Sequence, residues 1–228
     1  MQSILGKVYT APQTYMAGLF QLGLDSIEGR HVQAYMLNPE YQQAVEAVEA
    51  AGRQLPPAPE EQKDYFAVVN ANLGGAKSNL FVDYEMTQTV EGPSDGMITK
   101  TVKISYRNPE PADNCNLEAG QLCLNSTLRD WTRIYVPQGS NLIEAQGFTE
   151  APRAYEERGF QVFDGFFTLE PESTAKLILT YEVPYTADEY ALELWKQGGI
   201  NPVDIIMDVN GFQEEVVLDS DTTYQTPF

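Results

Sequence analysis

From Lys63 onward the chain alternates apolar and polar residues in short runs, and that period of two commits most of its length to β-structure. Successive side chains on a strand point to opposite faces, so each run can bury one face and wet the other. The runs Tyr65–Asn70, Leu80–Glu91, Met97–Arg107, Trp131–Val136, Asn141–Phe148, Phe160–Leu169, Ala175–Val183, Tyr190–Lys196, Val203–Val209 and Glu214–Leu218 predict ten strands. Turn-forming residues separate them, as at Pro137-Gln138-Gly139, Glu170-Pro171-Glu172-Ser173 and Gln197-Gly198-Gly199. Gly92-Pro93-Ser94-Asp95-Gly96 joins the second and third runs into a long hairpin. Short strands with connections of this kind predict an antiparallel β-sandwich over residues 64–228.

The first 54 residues read differently. Met16, Leu19, Phe20, Gly23, Leu24 and Ile27 recur at helical spacing over residues 12–28, with Pro12 in the first turn and Gly29 as a stop. His31-Val32-Gln33-Ala34-Tyr35-Met36 alternates like a strand, with His31 on the polar face. Asn38-Pro39 then pairs a capping residue with proline at the first helical position, and the helix continues through Val48 towards Gly52. This helix–strand–helix segment, residues 1–54, reads as the end of a truncated upstream domain. Leu55-Pro56-Pro57-Ala58-Pro59-Glu60-Glu61 is stiff and helix-breaking, so residues 55–63 are expected to form an extended, polyproline-like linker. The fold class expected overall is α+β.

Charge and rare residues narrow the function. With 33 acids against 14 Lys and Arg in 228 residues, the net charge is −19, and such a surface repels nucleic acid and anionic lipid. No run approaches the about 18 apolar residues of a membrane span, and Met1-Gln2-Ser3 does not open a signal peptide. An export signal or membrane anchor is therefore expected outside these residues. One histidine and two cysteines exclude the common Cys/His zinc sites and His-pair metalloprotease motifs. A serine hydrolase would have to use His31, and no Gly-x-Ser-x-Gly supplies its nucleophile. Asn72-Leu73-Gly74-Gly75-Ala76-Lys77-Ser78 lacks the glycine spacing of a phosphate loop. No catalytic residue is assigned, and the protein is not expected to be an enzyme.

Gly74 and Gly75 read instead as turn glycines of a structural loop. Lys77 could anchor that loop through a buried salt bridge or an isopeptide bond to an Asn or Asp. From Tyr181 to Phe228 there are ten acids and one base, Lys196. Among those acids, Asp219 and Asp221 stand at alternate positions and form a partial calcium loop without its glycine turn or distal glutamate, so calcium is the one candidate ion. Trp131 and Trp195 lie in strand-like stretches and suit either the core or a sugar-stacking surface.

The order of certain segments resembles the bacterial family catalogued as domain of unknown function 4012. They are the run from Asp64 to Asn79, Ile104-Ser105-Tyr106-Arg107-Asn108, Arg133-Ile134-Tyr135-Val136-Pro137-Gln138-Gly139-Ser140 and Leu194-Trp195-Lys196-Gln197-Gly198-Gly199. Met36-Leu37-Asn38-Pro39-Glu40-Tyr41-Gln42 fits as well, so the resemblance covers nearly the whole chain and corresponds to the C-terminal half of that domain. It implies a large envelope protein anchored in the membrane through an N-terminal segment. This chain would then be an extracellular structural or binding module. Its expected partners are other envelope proteins or surface polysaccharide, with homo-oligomeric or surface assembly open. The alternative the resemblance carries is a substrate-positioning half of an envelope glycopolymer-transferring enzyme, which would need an arginine-lined groove. Arg129, Arg133, Arg153 and Arg158 are the clustered arginines, and they are interleaved with acids.

Export bears on the cysteines. Cys115 and Cys123 are the only two, their spacing matches no C-x-x-C motif, and oxidising surroundings would join them in a disulfide.

Overall fold

The computed structural model of the protein describes residues 6, 7, 9, 10, 12–58 and 61–228. The chain divides into two compact units, Met1–Gln54 and Leu55–Phe228.

In the first unit a 3-10 turn, Gln13–Tyr15, leads into helix α1, Met16–Glu28, and helix α2 follows at Pro39–Ala47. The start of α2 follows from its capping chemistry, since Asn38 Oδ1 accepts the Glu40 N–H at 2.9 Å and Pro39 has no N–H to leave orphaned. It ends before Gly52, because the backbone turns at Glu49 with φ of 56°. The strand expected at 31–36 does not form. A strand needs a neighbour to take its N–H and C=O groups, and the first unit has no other strand among the described residues. The Ala34 N–H instead donates to the Ala50 carbonyl, and the Met36 N–H to Gln42 Oε1. Neither helix buries a residue, and no helix among the described residues is long and apolar enough to cross a membrane.

Among its described residues the second unit holds twelve strands. They are β1 (Asp64–Asn72), β2 (Asp83–Ser94), β3 (Met97–Asn108), β4 (Leu128–Pro137), β5 (Asn141–Gln146), β6 (Arg153–Glu157), β7 (Phe160–Leu169), β8 (Ser173–Pro184), β9 (Glu189–Trp195), β10 (Val203–Val209), β11 (Phe212–Leu218) and β12 (Thr222–Pro227). They form two six-stranded sheets, in the orders β12-β9-β1-β4-β7-β6 and β11-β10-β2-β3-β8-β5. The ten expected strands are present, and β6 and β12 are additional. Both additional strands lie at sheet edges; β6 buries no residue, and β12 buries Tyr224 and Thr226 on one face but carries one large apolar side chain, Tyr224, so neither shows an apolar alternation in the sequence.

The sheets are mixed, which corrects the expectation of a purely antiparallel sandwich. β1 pairs with β9 in parallel, and so does β2 with β10. Tight hairpins impose antiparallel pairing only on sequence neighbours. At the β2–β3 turn, Asp95 and Gly96 both adopt positive φ, 53° and 78°, and Asn210-Gly211 repeats this between β10 and β11. No local signal sets the direction in which β9 and β10 meet strands more than a hundred residues earlier.

One face of each sheet points into a shared core, with Phe66 and Val68 of β1 meeting Val102, Ile104, Leu177, Leu179 and their neighbours. The first sheet also buries part of its outer face, where Tyr65, Ala67, Tyr135, Phe160 and Val162 cluster. β1 is accordingly buried over five consecutive residues, a pattern that a strict alternation does not produce. The described part of segment 55–63, expected as an extended linker, belongs to this unit and makes contacts with it; Pro59 and Glu60 lie outside the described residues. Pro56 packs against Gly159, Gln62 Oε1 accepts from Thr186 Oγ1 at 2.6 Å, and Lys63 pairs with Glu193 at 3.0 Å.

A candidate binding pocket at one end of the sandwich

β1 and β3 end, and β2, β4 and β10 begin, at the same end of the sandwich. There the inward-facing residues turn polar. Along β1 the inward series Phe66, Val68 continues to Asn70 and Asn72; along β3, Ile104 is followed by Tyr106 and Asn108; along β4, Leu128, Asp130 and Thr132 precede Ile134. Together with the Ser78–Phe81 turn and the β9–β10 loop, these strand ends line a pocket of about 390 Å³. Asn70, Asn72, Tyr84, Tyr106, Asp130 and Gln197 supply polar lining, while Leu80, Val82, Leu128 and Ile200 supply apolar lining.

The walls are held by specific hydrogen bonds. Asn70 Oδ1 accepts from Tyr106 Oη at 3.1 Å and from Thr132 Oγ1 at 3.0 Å, tying one sheet to the other. Gln197 pairs with the Asn70 backbone as a strand would, its Oε1 accepting the N–H at 2.8 Å and its Nε2 donating to the carbonyl at 2.9 Å. Asn72 Oδ1 accepts the Gly74 N–H and Asn72 Nδ2 donates to the Ala76 carbonyl, which shapes the loop after β1.

Asp130 is the unusual member. Its residue is only 3% exposed, and its Oδ1 is buried with no hydrogen-bond partner. Burial pushes its carboxyl up to about 6, against the opposing pull of backbone N–H donation from Ala71 and Trp131. Burial also raises the phenol of Tyr84, with the Asp130 charge adding to it. Tyr106 is raised well above the usual phenol range by burial, then by Tyr84 and Asp130. At neutral pH the pocket thus presents a desolvated anion beside two neutral phenols and several amides, with the exposed carboxyl group of Asp83 at its edge, a set that recognises hydrogen-bond donors or a cation.

The loops flanking the pocket contain most residues singled out from the sequence. The disulfide between Cys115 and Cys123 is formed, in the β3–β4 connection. Asp113 Oδ2 steadies the same connection by accepting the N–H groups of Leu124 and Asn125, each at 2.9 Å. Gly75 takes φ of 81° in the loop after β1, and a Cβ on Gly74 would meet Asn72 Oδ1 and the Thr127 carbonyl at 3.1 Å. Lys77 links the two loops through its backbone N–H, which donates to the Leu124 carbonyl. Its side chain is exposed, so the alternative of a buried salt bridge does not hold for it; among the described residues the buried lysines are Lys100 and Lys196.

Asp219 and Asp221 lie in the connection between β11 and β12. Asp221 Oδ1 accepts the Lys196 N–H at 2.9 Å, Asp219 Oδ1 accepts from Ser220 Oγ, and the chain then enters β12. Among the described residues no three His, Cys, Asp or Glu side chains converge as a metal site would require. Trp131 is half-buried on the outer face of the first sheet, stacked on Phe166 at 6.2 Å beneath the Arg133 guanidinium, and Trp195 packs against the outer cluster.

Asn70, Tyr84, Tyr106, Asp130 and Gln197 were not singled out by residue type. The signal lay in register: once the apolar positions of β1, β3 and β4 set the inward face, the same period places Asn70, Tyr106, Asp130 and Thr132 on it.

No family model matches the chain, and no curated protein matches it. Among solved structures it is similar to a candidate nutrient-binding protein from Legionella pneumophila, at 7% identity over 64% of this chain and 53% of that one, with a TM-score of 0.38. It is also similar to an M1 zinc metallopeptidase from Deinococcus radiodurans, at 15% identity over 56% of this chain and 32% of that one, with a TM-score of 0.30. The chain thus spans about half of the first and a third of the second.

Proposed function

We propose that the protein is a non-catalytic binding module of a bacterial cell-surface protein, and that the pocket over Asp130 takes a unit of surface polysaccharide. The observation that carries this reading is the buried Asp130 Oδ1 with no donor, set among amides and neutral phenols. A buried carboxylate oxygen without a donor costs free energy that a ligand hydroxyl or ammonium can recover. Sugar units bring such donors along with an apolar face suited to Leu80, Val82 and Ile200. The disulfide agrees with an extracellular location. Membership of the domain-of-unknown-function 4012 family belongs to the same reading. In its support, the segments from Asp64 to Asn79, around Tyr106 and around Gln197 converge on this one pocket.

The alternative, a substrate-positioning half of a glycopolymer transferase, has less support. Arg153 is held by Asp164 through two 2.8 Å hydrogen bonds, and Arg133 by Glu157 and Tyr155. Those guanidiniums are committed to carboxylates on the outer face of the first sheet rather than offered to a phosphate. Calorimetric titration with oligosaccharides released from bacterial envelope polysaccharide, neutral and amino-sugar-containing, tests the reading. Binding is expected to the intact protein and to be lost in Asp130→Ala. Absence of binding in both sets, or equal binding by the variant, refutes it.

A further inference from the structure

A second polar cluster lies away from the pocket, in the middle of the sandwich. Lys100 of β3 and Asp64 at the start of β1 come from opposite sheets, and neither side chain has any exposed surface. Lys100 Nζ stands 2.5 Å from Asp64 Oδ2. The rings of Phe66, Tyr181 and Tyr190 box the nitrogen in, with centroids at 5.4, 6.0 and 5.9 Å. Two further groups grip the carboxylate: the Tyr65 N–H donates to Oδ1 at 2.8 Å and Tyr190 Oη to Oδ2 at 2.6 Å.

As an ion pair this arrangement is poorly served. An ammonium carries three N–H donors, and Asp64 Oδ2 is the one acceptor that Lys100 Nζ reaches. The Tyr181 hydroxyl, buried in the same box, has no hydrogen-bond partner among the described residues. An amide in place of the two charges carries a single N–H instead of three, and its oxygen, the present Oδ1, keeps the Tyr65 N–H as its donor. We propose that Lys100 Nζ and Asp64 Cγ join in an intramolecular isopeptide bond that ties the two sheets together.

The constellation supplies each part of the condensation. Lys100 passes one proton to Asp64 Oδ2, leaving an amine and a carboxylic acid. Burial assists this step, since desolvation lowers the lysine despite the nearby carboxylate. The amine lone pair adds to Cγ, and the charge that develops on Oδ1 is stabilised by the Tyr65 N–H. Tyr190 then gives its proton to the Oδ2 hydroxyl and takes one from Nζ, ending unchanged. The Cγ–Oδ2 bond breaks and one water leaves. Ammonium and carboxylate have become amide and water, with no change of oxidation state and no further reactant. Holding the partners at contact distance in a site closed to water supplies the effective concentration that free amines and acids lack.

The test needs only the purified chain. After reduction of the disulfide, its intact mass is expected to lie below the sequence mass by one water. Proteolysis should yield a branched peptide joining the segments around Asp64 and Lys100, with no cleavage by trypsin after Lys100. A chain at full sequence mass, with Lys100 cleaved normally once unfolded, overturns the proposal. So does a water deficit that maps elsewhere, for example to a succinimide at Asp95-Gly96.

Discussion

Replacing Asp130 with asparagine should stabilise the protein at neutral and alkaline pH, and the gain should vanish in acid. The carboxyl is raised from 3.8 to about 6 by burial. An acid whose folded value is raised binds more protons in the folded state than in the unfolded state between those two values. Stability is therefore highest below the lower value, falls as pH rises through the window, and stays low above it. A displacement of roughly two units at 1.36 kcal/mol each puts the penalty near 3 kcal/mol above pH 6. Asparagine keeps the shape and removes the charge, but its amide N–H groups enter a site with no acceptor waiting, which returns about 1–2 kcal/mol. The expected net gain at pH 8 is about 1–2 kcal/mol, or a rise in Tm of roughly 2–8 °C for a domain of this size. At pH 3.5 the variant should match or fall below the parent. Thermal and urea unfolding at the two pH values measure this directly. A variant that is less stable at pH 8, or whose difference from the parent does not change with pH, would show that Asp130 is not a desolvated anion and would remove the basis of the binding site. A protein that retains such a cost at its surface-facing end resembles others that trade stability for function.

Three further perturbations have defined outcomes. Replacing Cys115 and Cys123 together with serine opens the closed loop and should lower unfolding free energy by about 2.5 kcal/mol in the chain-entropy model, measured by urea denaturation; a loss under 0.5 kcal/mol would mean that Asp113 and Asn125 hold the loop unaided. Gly147→Ala places a Cβ 1.9 Å from the Lys176 carbonyl oxygen at φ of 89°, so the variant should lose on the order of 3 kcal/mol or fail to fold, and near-parent stability would refute the close approach. Gln197→Ala removes both bonds to the Asn70 backbone and should cost about 1–3 kcal/mol, with faster amide exchange at Asn70; unchanged exchange there would show that the β9–β10 loop docks by other means.

The β-rich class and ten of the strands follow from period two alone, because burial of one face of a strand is written into every second residue. The cap of α2 follows from Asn38-Pro39 for an equally local reason. The cysteine pair was legible once an oxidising location was inferred. What tertiary structure alone decided were relations between distant segments. The alternation at 31–36 resembled a strand, yet without a partner to complete its hydrogen bonds it stayed coil. The parallel joins of β9 and β10 depend on which sheet edges were free, and no hairpin records that. Asp130 and Lys100 differ from surface acids and lysines only in facing inward, and what they face is set by strands brought from elsewhere in the chain. A residue's type is local information. Its burial and its partners are properties of the packed whole, and they are what turn Asp130 into a binding candidate and Lys100 with Asp64 into a reactive pair.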